Sequence, residues 1–290
     1  MKLSDHGYAD AGAAVAELMA AQAVDITDGE FARVRELALR LTGISIAASK
    51  KTLIIGRWGR RLAHHSLTNF DDYLDLLEES GGREELQIAL DLLTTNETSF
   101  FREPKHFDFL RTEVIPGARR GGQFRVWSAA CSSGEEPYSV AMLLAAELGQ
   151  ANWEVLGTDI SARVLDSARS GLYELGRCEQ ISHDYLRRFC LKGNGPQSGK
   201  FLINKSLRER VKFVRANLNE PLADFGQFDV ILLRNVMIYF NTPTKQRVLK
   251  HLLPALKPGG YFITGHCDTL AGVTHGLTTV SASVHRKGAA

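Results

Sequence analysis

Phe124-Arg-Val-Trp-Ser-Ala-Ala-Cys-Ser-Ser-Gly134-Glu-Glu-Pro-Tyr-Ser-Val140 changes character in mid-run. A β-prone apolar segment stops at small residues and a glycine, then restarts as an apolar helix over Tyr138 to Leu148. Glu135, Glu136 and Pro137 fall in that helix's first turn, where acids and proline are favoured. A strand, a tight loop and a helix in this order predict an open parallel α/β sheet. The loop leaving its first strand then lies at the topological switch point, where nucleotide-like ligands bind. Ser128, Ala129, Ala130, Ser132, Ser133 and Gly134 carry little bulk, which lets backbone approach a ligand closely.

The charge on the loop separates two cofactor classes. A dinucleotide loop needs three glycines and bare N–H groups facing a pyrophosphate, whereas this one has a single glycine followed by two carboxylates. S-Adenosylmethionine carries no phosphate, and its sulfonium and ammonium suit acidic neighbours. Further on, Trp153-Glu-Val-Leu-Gly-Thr-Asp159 reads as a second strand ending in an acid, the position that accepts ribose hydroxyls in this architecture. The competing reading has Asp159 or Ser161 merely capping a helix over Ala162 to Ser170.

Thr94-Thr-Asn-Glu-Thr-Ser-Phe-Phe-Arg102, the segment Ser128 to Ser139, Gly157-Thr-Asp-Ile160 and Leu233-Arg-Asn-Val-Met-Ile-Tyr-Phe240 closely resemble the CheR family. Those enzymes are chemotaxis receptor glutamate methyltransferases that use S-adenosylmethionine. The likeness runs in order from about Ile26 to Lys287. It implies a Rossmann-like S-adenosylmethionine-dependent methyltransferase fold of α/β class, with a small inserted β-subdomain and an all-helical N-terminal domain in front. It also implies that Asn96, Thr98, Arg102, Glu136, Asp159, Asn217, Leu218, Arg234 and Asn235 hold the cofactor or its product, S-adenosylhomocysteine. Arg102 and Tyr239 become the catalytic candidates, Arg102 on a carboxylate and Tyr239 on the acceptor. Two alternatives stay open: a non-catalytic cofactor-binding signalling or scaffold protein, and a methyltransferase with another acceptor. A nucleic-acid amine methyltransferase ranks low, because the loop Arg234-Asn-Val-Met lacks an Asn/Asp-Pro-Pro-Tyr pattern.

Composition sets the bounds. With 290 residues, 44% of them hydrophobic, the chain buries one large core and a smaller second one. A net charge of +2 gives no sign of a nucleic-acid partner. Cys131, Cys178, Cys190 and Cys267 form no metal spacing, so no metal is expected and a reducing compartment is. No apolar run reaches membrane-spanning length and no secretory signal is read, which predicts a cytoplasmic protein without direct membrane insertion.

Three regions follow. Residues 1–25 are alanine-rich and read as a loose helix or a disordered extension. Residues 26–93 read as a helical domain, opened by a Thr27/Glu30 capping box and continued by helices over Ser49 to His65, Asn69 to Glu79 and Arg83 to Leu93. Residues 94–290 read as the methyltransferase domain, with the β-subdomain inserted at about 172–210. On the second helix Arg57, Arg60, Arg61 and His64 fall at helical spacing, and no acid appears between Lys50 and Asp71. Such a face is ordinarily just solvated; the resemblance makes Arg57, Arg60 and Arg61 a candidate docking face for the receptors' acidic helical bundle. In the insert, Gly193 to Gly199 reads as a turn before a short strand from Lys200 to Asn204. Ten basic residues face four acids from Leu172 to Arg215; some members of the resembled family hold a receptor's C-terminal tail here, and the insert reads either as such a tail site or as a basic surface insert without a peptide ligand. Further strands are expected at Val211 to Leu218, Tyr261 to Thr264 and Ser281 to His285, with a strand and its exit loop over Phe228 to Phe240 and a helix from Thr244 to Leu256. His266 reads as structural, and Cys267-Asp268 stands where the family usually has Ser-Glu.

Overall fold

The computed structural model describes residues 24–79, 81–118 and 122–289, so the expected N-terminal extension lies almost wholly outside the described residues. Contacts divide the chain into two compact units, Met1–Thr95 and Asn96–Ala290.

The first unit is helical. Helix α1 (Asp28–Thr42) begins at the predicted box: the Thr27 hydroxyl accepts from Glu30 N, and the Glu30 carboxylate accepts from Thr27 N at 2.8 Å. The same carboxylate also takes Phe70 N at 2.7 Å, so one side chain caps two helices. Helix α2 (Lys51–His64) follows a short 3-10 turn, Ala48–Lys50. Helix α3 (Phe70–Glu78) is capped by Asn69, and α4 spans Arg83–Leu93. Their apolar stripes close over Phe31, Val34, Trp58, Leu62, Phe70, Tyr73, Leu77 and Leu90. Trp58 Nε1 donates to Ala89 O at 3.0 Å, which satisfies the one polar atom of that fully buried ring.

The second unit opens with α5 (Pro104–Phe109), a π-helical stretch Leu110–Val114 and α6 (Ile115–Ala118). There follow β1 (Phe124–Ser128), α7 (Glu135–Leu148), β2 (Trp153–Asp159) and α8 (Ala162–Ser170). An insertion comes next: β3 (Leu172–Glu174), α9 (His183–Phe189), β4 (Cys190–Lys192), β5 (Lys200–Ile203) and α10 (Lys205–Arg208). The chain then runs through β6 (Val211–Arg215), β7 (Phe228–Leu233), α11 (Thr242–Leu252), β8 (Leu256–Thr264), β9 (Leu277–Ser281) and β10 (Val284–Lys287). No helix among the described residues is long and apolar enough to cross a membrane.

The main sheet has the order β6-β2-β1-β7-β8-β10-β9, with β6 to β8 parallel and β10 antiparallel to both neighbours. Strand order reverses at β1, whose neighbours β2 and β7 lie on either side. Register brings Ser128 level with Gly157 of β2 and Leu232 of β7, so three strands end together and their exit loops share one rim. The insertion forms a separate antiparallel sheet, β3-β5-β4.

Several expected boundaries move. The last strand, placed at Ser281 to His285, is instead the turn of a hairpin, because Ala282 and Ser283 reverse the chain between β9 and β10. That turn uses no left-handed residue, so neither glycine nor asparagine marks it in the sequence. Strand β8 begins at Leu256, ahead of Pro258-Gly-Gly, and α11 correspondingly ends at Leu252. Gly134 sits at φ 94°, and a Cβ there would lie 2.8 Å from Ala168 Cβ and 2.9 Å from the Tyr173 hydroxyl. Its smallness serves the packing of α7 against α8 and β3.

Candidate active site

The rim is built from the ends of β1, β2 and β7 and from the segment before α5. Asp159, at the end of β2, accepts Ser132 N at 2.9 Å on one oxygen and Ser161 N at 3.0 Å on the other. Ser161, not Asp159, caps α8 through Val164 N. The Ser132 hydroxyl donates to Asn96 O at 2.9 Å, which ties the loop after β1 to the Asn96 segment. Because an Asp159 oxygen already takes the Ser132 amide, that amide is not left facing outward for a phosphate.

Arg234 leaves β7 with its side chain buried. Its Nη1 donates to Glu136 Oε2 at 2.7 Å, while Nη2 donates to Glu103 Oε2 at 3.1 Å and to the Arg102 carbonyl. The second Glu136 oxygen accepts from the Ser128 hydroxyl at 2.7 Å. Glu103 also accepts from Asn235 Nδ2 at 3.0 Å and from His266 N. Burial pushes the Glu103 carboxyl up, but the Asn235 bond and the Arg234 charge outweigh it and hold the pKa at about 2. His106 beside it is held down to about 4 by burial and by Arg234, and its Nε2 lies 2.6 Å from the Ser283 hydroxyl. Asp268 accepts Asn235 N at 2.5 Å, Gly265 N at 2.9 Å and Ile238 N at 3.1 Å, so it holds the loop after β7 in place.

Backbone strain gathers here. Five described non-glycine residues have positive φ, and four of them, Phe101, Glu103, Ser132 and Asn235, belong to these segments. Left-handed residues of this kind cost stability and persist where surrounding contacts fix them, often at functional sites.

Among the residues predicted from sequence, Asn96, Glu136, Asp159, Arg234 and Asn235 are tied into this rim by the bonds above, together with the Arg102 carbonyl. The Arg102 guanidinium turns back to Glu97 O at 2.8 Å, and Thr98 is half-buried in the same segment. Asn217 folds on itself, accepting Asn219 N at 3.1 Å and donating to Glu220 at 2.9 Å, with Leu218 buried beside it beyond β6. Tyr239 lies on the 3-10 turn Met237–Tyr239, half-buried, and its hydroxyl has no hydrogen-bond partner among the described residues. Glu103 escaped the sequence reading, because Glu103-Pro104 gives only a helix start. Ser132 was read only as a small loop residue and Asp268 only as a departure from the family pattern, since their bonding partners lie on other strands' exit loops.

On the expected docking face the three arginines differ in their partners. Arg61 is locked to Glu85 by a two-pronged ion pair, its Nε at 2.8 Å, and Arg57 donates to the Leu93 carbonyl at the end of α4. The sequence shows no acid near these arginines, but α4 supplies one through the fold. Arg60 is exposed.

A parallel sheet with its strand-order reversal at β1, a rim in which Glu103 and Glu136 share the Arg234 guanidinium, and Asp159 at the end of β2 together define an α/β fold with a site for a nucleoside cofactor. The donor set fits S-adenosylmethionine, since a net acidic rim suits a sulfonium and an ammonium and disfavours a pyrophosphate. Residues 96–285 match the CheR methyltransferase SAM binding domain, and residues 29–94 match the CheR methyltransferase all-alpha domain. The chain is 38% identical to the chemotaxis protein methyltransferase of Salmonella typhimurium over 271 residues, covering 92% of this chain and 93% of that protein. It is 39% identical to the Escherichia coli chemotaxis protein methyltransferase, covering 90% and 91%, and 41% identical to chemotaxis protein methyltransferase 2 of Pseudomonas aeruginosa, covering 89% and 93%. The chain belongs to the CheR methyltransferase family, and its second unit is that family's S-adenosylmethionine-binding domain.

Proposed function

We propose that this protein transfers a methyl group from S-adenosylmethionine to glutamate side chains of chemotaxis receptors, in the cytoplasm. The observation that carries the reading is the match to both family domains along nearly the whole chain, joined to relatives named as chemotaxis protein methyltransferases. S-Adenosylmethionine supplies an electrophilic methyl on sulfur. A glutamate, with an ordinary pKa of about 4.3, is already an anion near neutral pH, so no general base is required of the protein. One carboxylate oxygen forms a bond to the methyl carbon as the carbon–sulfur bond breaks, giving a methyl ester and S-adenosylhomocysteine. Opposite charges disappear in that step, so the protein accelerates it by alignment and by excluding water.

In this reading Asp159 takes the ribose hydroxyls, and Glu136, Arg234 and Asn235 shape the cofactor pocket. Asn96, Thr98, Asn217 and Leu218 line it, and Arg102 holds the cofactor carboxylate. The unpartnered Tyr239 hydroxyl suits a hydrogen bond to the acceptor. Arg60 on α2 meets the acidic receptor bundle. The small sheet β3-β5-β4 has two open edges, and β4 carries the exposed Leu191, which suits an extended receptor tail added by β-augmentation. The test is methyl transfer from tritiated cofactor to receptor-containing membranes, read as base-labile methanol. No labile methanol, with the cofactor still bound, would favour the scaffold alternative.

A further inference from the structure

We infer that Glu103 is a positioning residue for methyl transfer, acting through Arg234 and Asn235; the inference rests on the function proposed above. Two segments separate in sequence, Arg234-Asn235 and His266, meet on this one carboxylate. Oε2 takes Arg234 Nη2 at 3.1 Å, Oε1 takes Asn235 Nδ2 at 3.0 Å, and His266 N spans both oxygens at 3.3 and 3.2 Å. The loops after β7 and β8 are thereby clamped to the Arg102–Pro104 segment. Arg234 in turn reaches Glu136, so the clamp continues to the first turn of α7.

The backbone is set for the purpose. Glu103 holds φ 58° just before Pro104, a conformation that costs energy and that its contacts must maintain. Asn235, the partner across the clamp, is also left-handed, at φ 58°. Both ends of the Glu103–Asn235 bond are therefore strained residues, as expected where geometry is imposed by function rather than by local preference.

A second chemistry deserves comparison. Glu103, His106 and His266 bring one donor atom each within 4.8 Å of one another, and His106 Nδ1 is buried without a hydrogen-bond partner 3.4 Å from Glu103 Oε2. That spacing also suits a divalent cation. Yet each Glu103 oxygen already carries two N–H contacts, and a guanidinium occupies the oxygen that faces His106. The carboxylate is committed to the clamp.

The experiment compares wild type, Glu103→Gln, Asn235→Gly and the double variant in calorimetric titration with S-adenosylhomocysteine and in steady-state methylation. Glutamine keeps the shape and removes the charge; glycine tolerates positive φ and removes the amide. Removing charge-assisted bonds predicts Glu103→Gln weakens product binding and raises KM for the cofactor roughly tenfold to a hundredfold, with a smaller change in kcat. Asn235→Gly should weaken binding in the same direction, and the double variant should be little worse than Glu103→Gln alone, because the two act as one unit. Wild-type affinity in Glu103→Gln overturns the proposal, as does full additivity of the two substitutions. If Glu103→Gln does not fold, wild-type affinity in Asn235→Gly overturns it equally. Stoichiometric Zn2+ binding to wild type that is lost in Glu103→Gln would also overturn it, making Glu103 a metal ligand. A wild type that binds no S-adenosylhomocysteine would instead defeat the proposed function itself.

Discussion

Asp159 accepts one backbone amide on each carboxylate oxygen, which fixes the group at the end of β2. Asp159→Ala is expected to weaken S-adenosylhomocysteine binding by about 1.5–3 kcal/mol, the worth of hydrogen bonds to a charged group, as read by calorimetry. Tyr239 presents the opposite case, a hydroxyl without a partner among the described residues. Tyr239→Phe should lower kcat at least about tenfold, or ~1.4 kcal/mol, with little change in product affinity. Equal turnover would reject the role. Both positions could be placed from sequence because Asp159 ends a strand and Tyr239 lies on the exit loop of another, each inside a long motif. Glu103 could not: its three bonds come from residues more than 130 positions away, and only the fold brings those donors together.

At the level of elements, periodicity and caps carried the most information. The Thr27/Glu30 box and the extent of α4 stand as the sequence implied, since each is decided within a few residues. The counter-ion of α2 was not legible for the complementary reason, because Glu85 lies on α4. Burial raises the Glu85 carboxyl, but bonds from Arg61, Tyr73 and His65 prevail and hold it at about 2, against an ordinary 4.5. A depressed carboxylate pKa means this stabilisation is complete above about pH 4.5 and is lost as pH falls towards 2. Urea unfolding across that range should show the loss in wild type and a flatter profile in Arg61→Ala, which should itself cost about 3 kcal/mol near neutrality. Arg60→Glu is expected to behave differently. It should leave stability within about 0.5 kcal/mol, raise KM for receptor, and reduce the salt sensitivity of methylation. Kinetics indifferent to both salt and reversal would leave the face merely solvated.

At the scale of the whole molecule, the alternation of strand and helix was enough to foresee the parallel sheet and the rim where its order reverses. The antiparallel hairpin β9–β10 was not foreseeable in detail, because a turn without a left-handed residue leaves no mark. Neither was the length of β8, where Pro258-Gly-Gly suggested a break and the backbone instead continues as strand. The chain nevertheless keeps its apolar side chains in two separate clusters, one within the helical unit and one around the sheet. Two cores of this kind need not melt together, and a single midpoint then ceases to describe the protein. Differential scanning calorimetry should resolve two endotherms. S-Adenosylhomocysteine at a hundred times its Kd should stabilise the sheet unit by about 2.7 kcal/mol and move only the endotherm that belongs to it. The helical unit's melting would stay where it was, giving a ligand-independent internal reference within the same polypeptide.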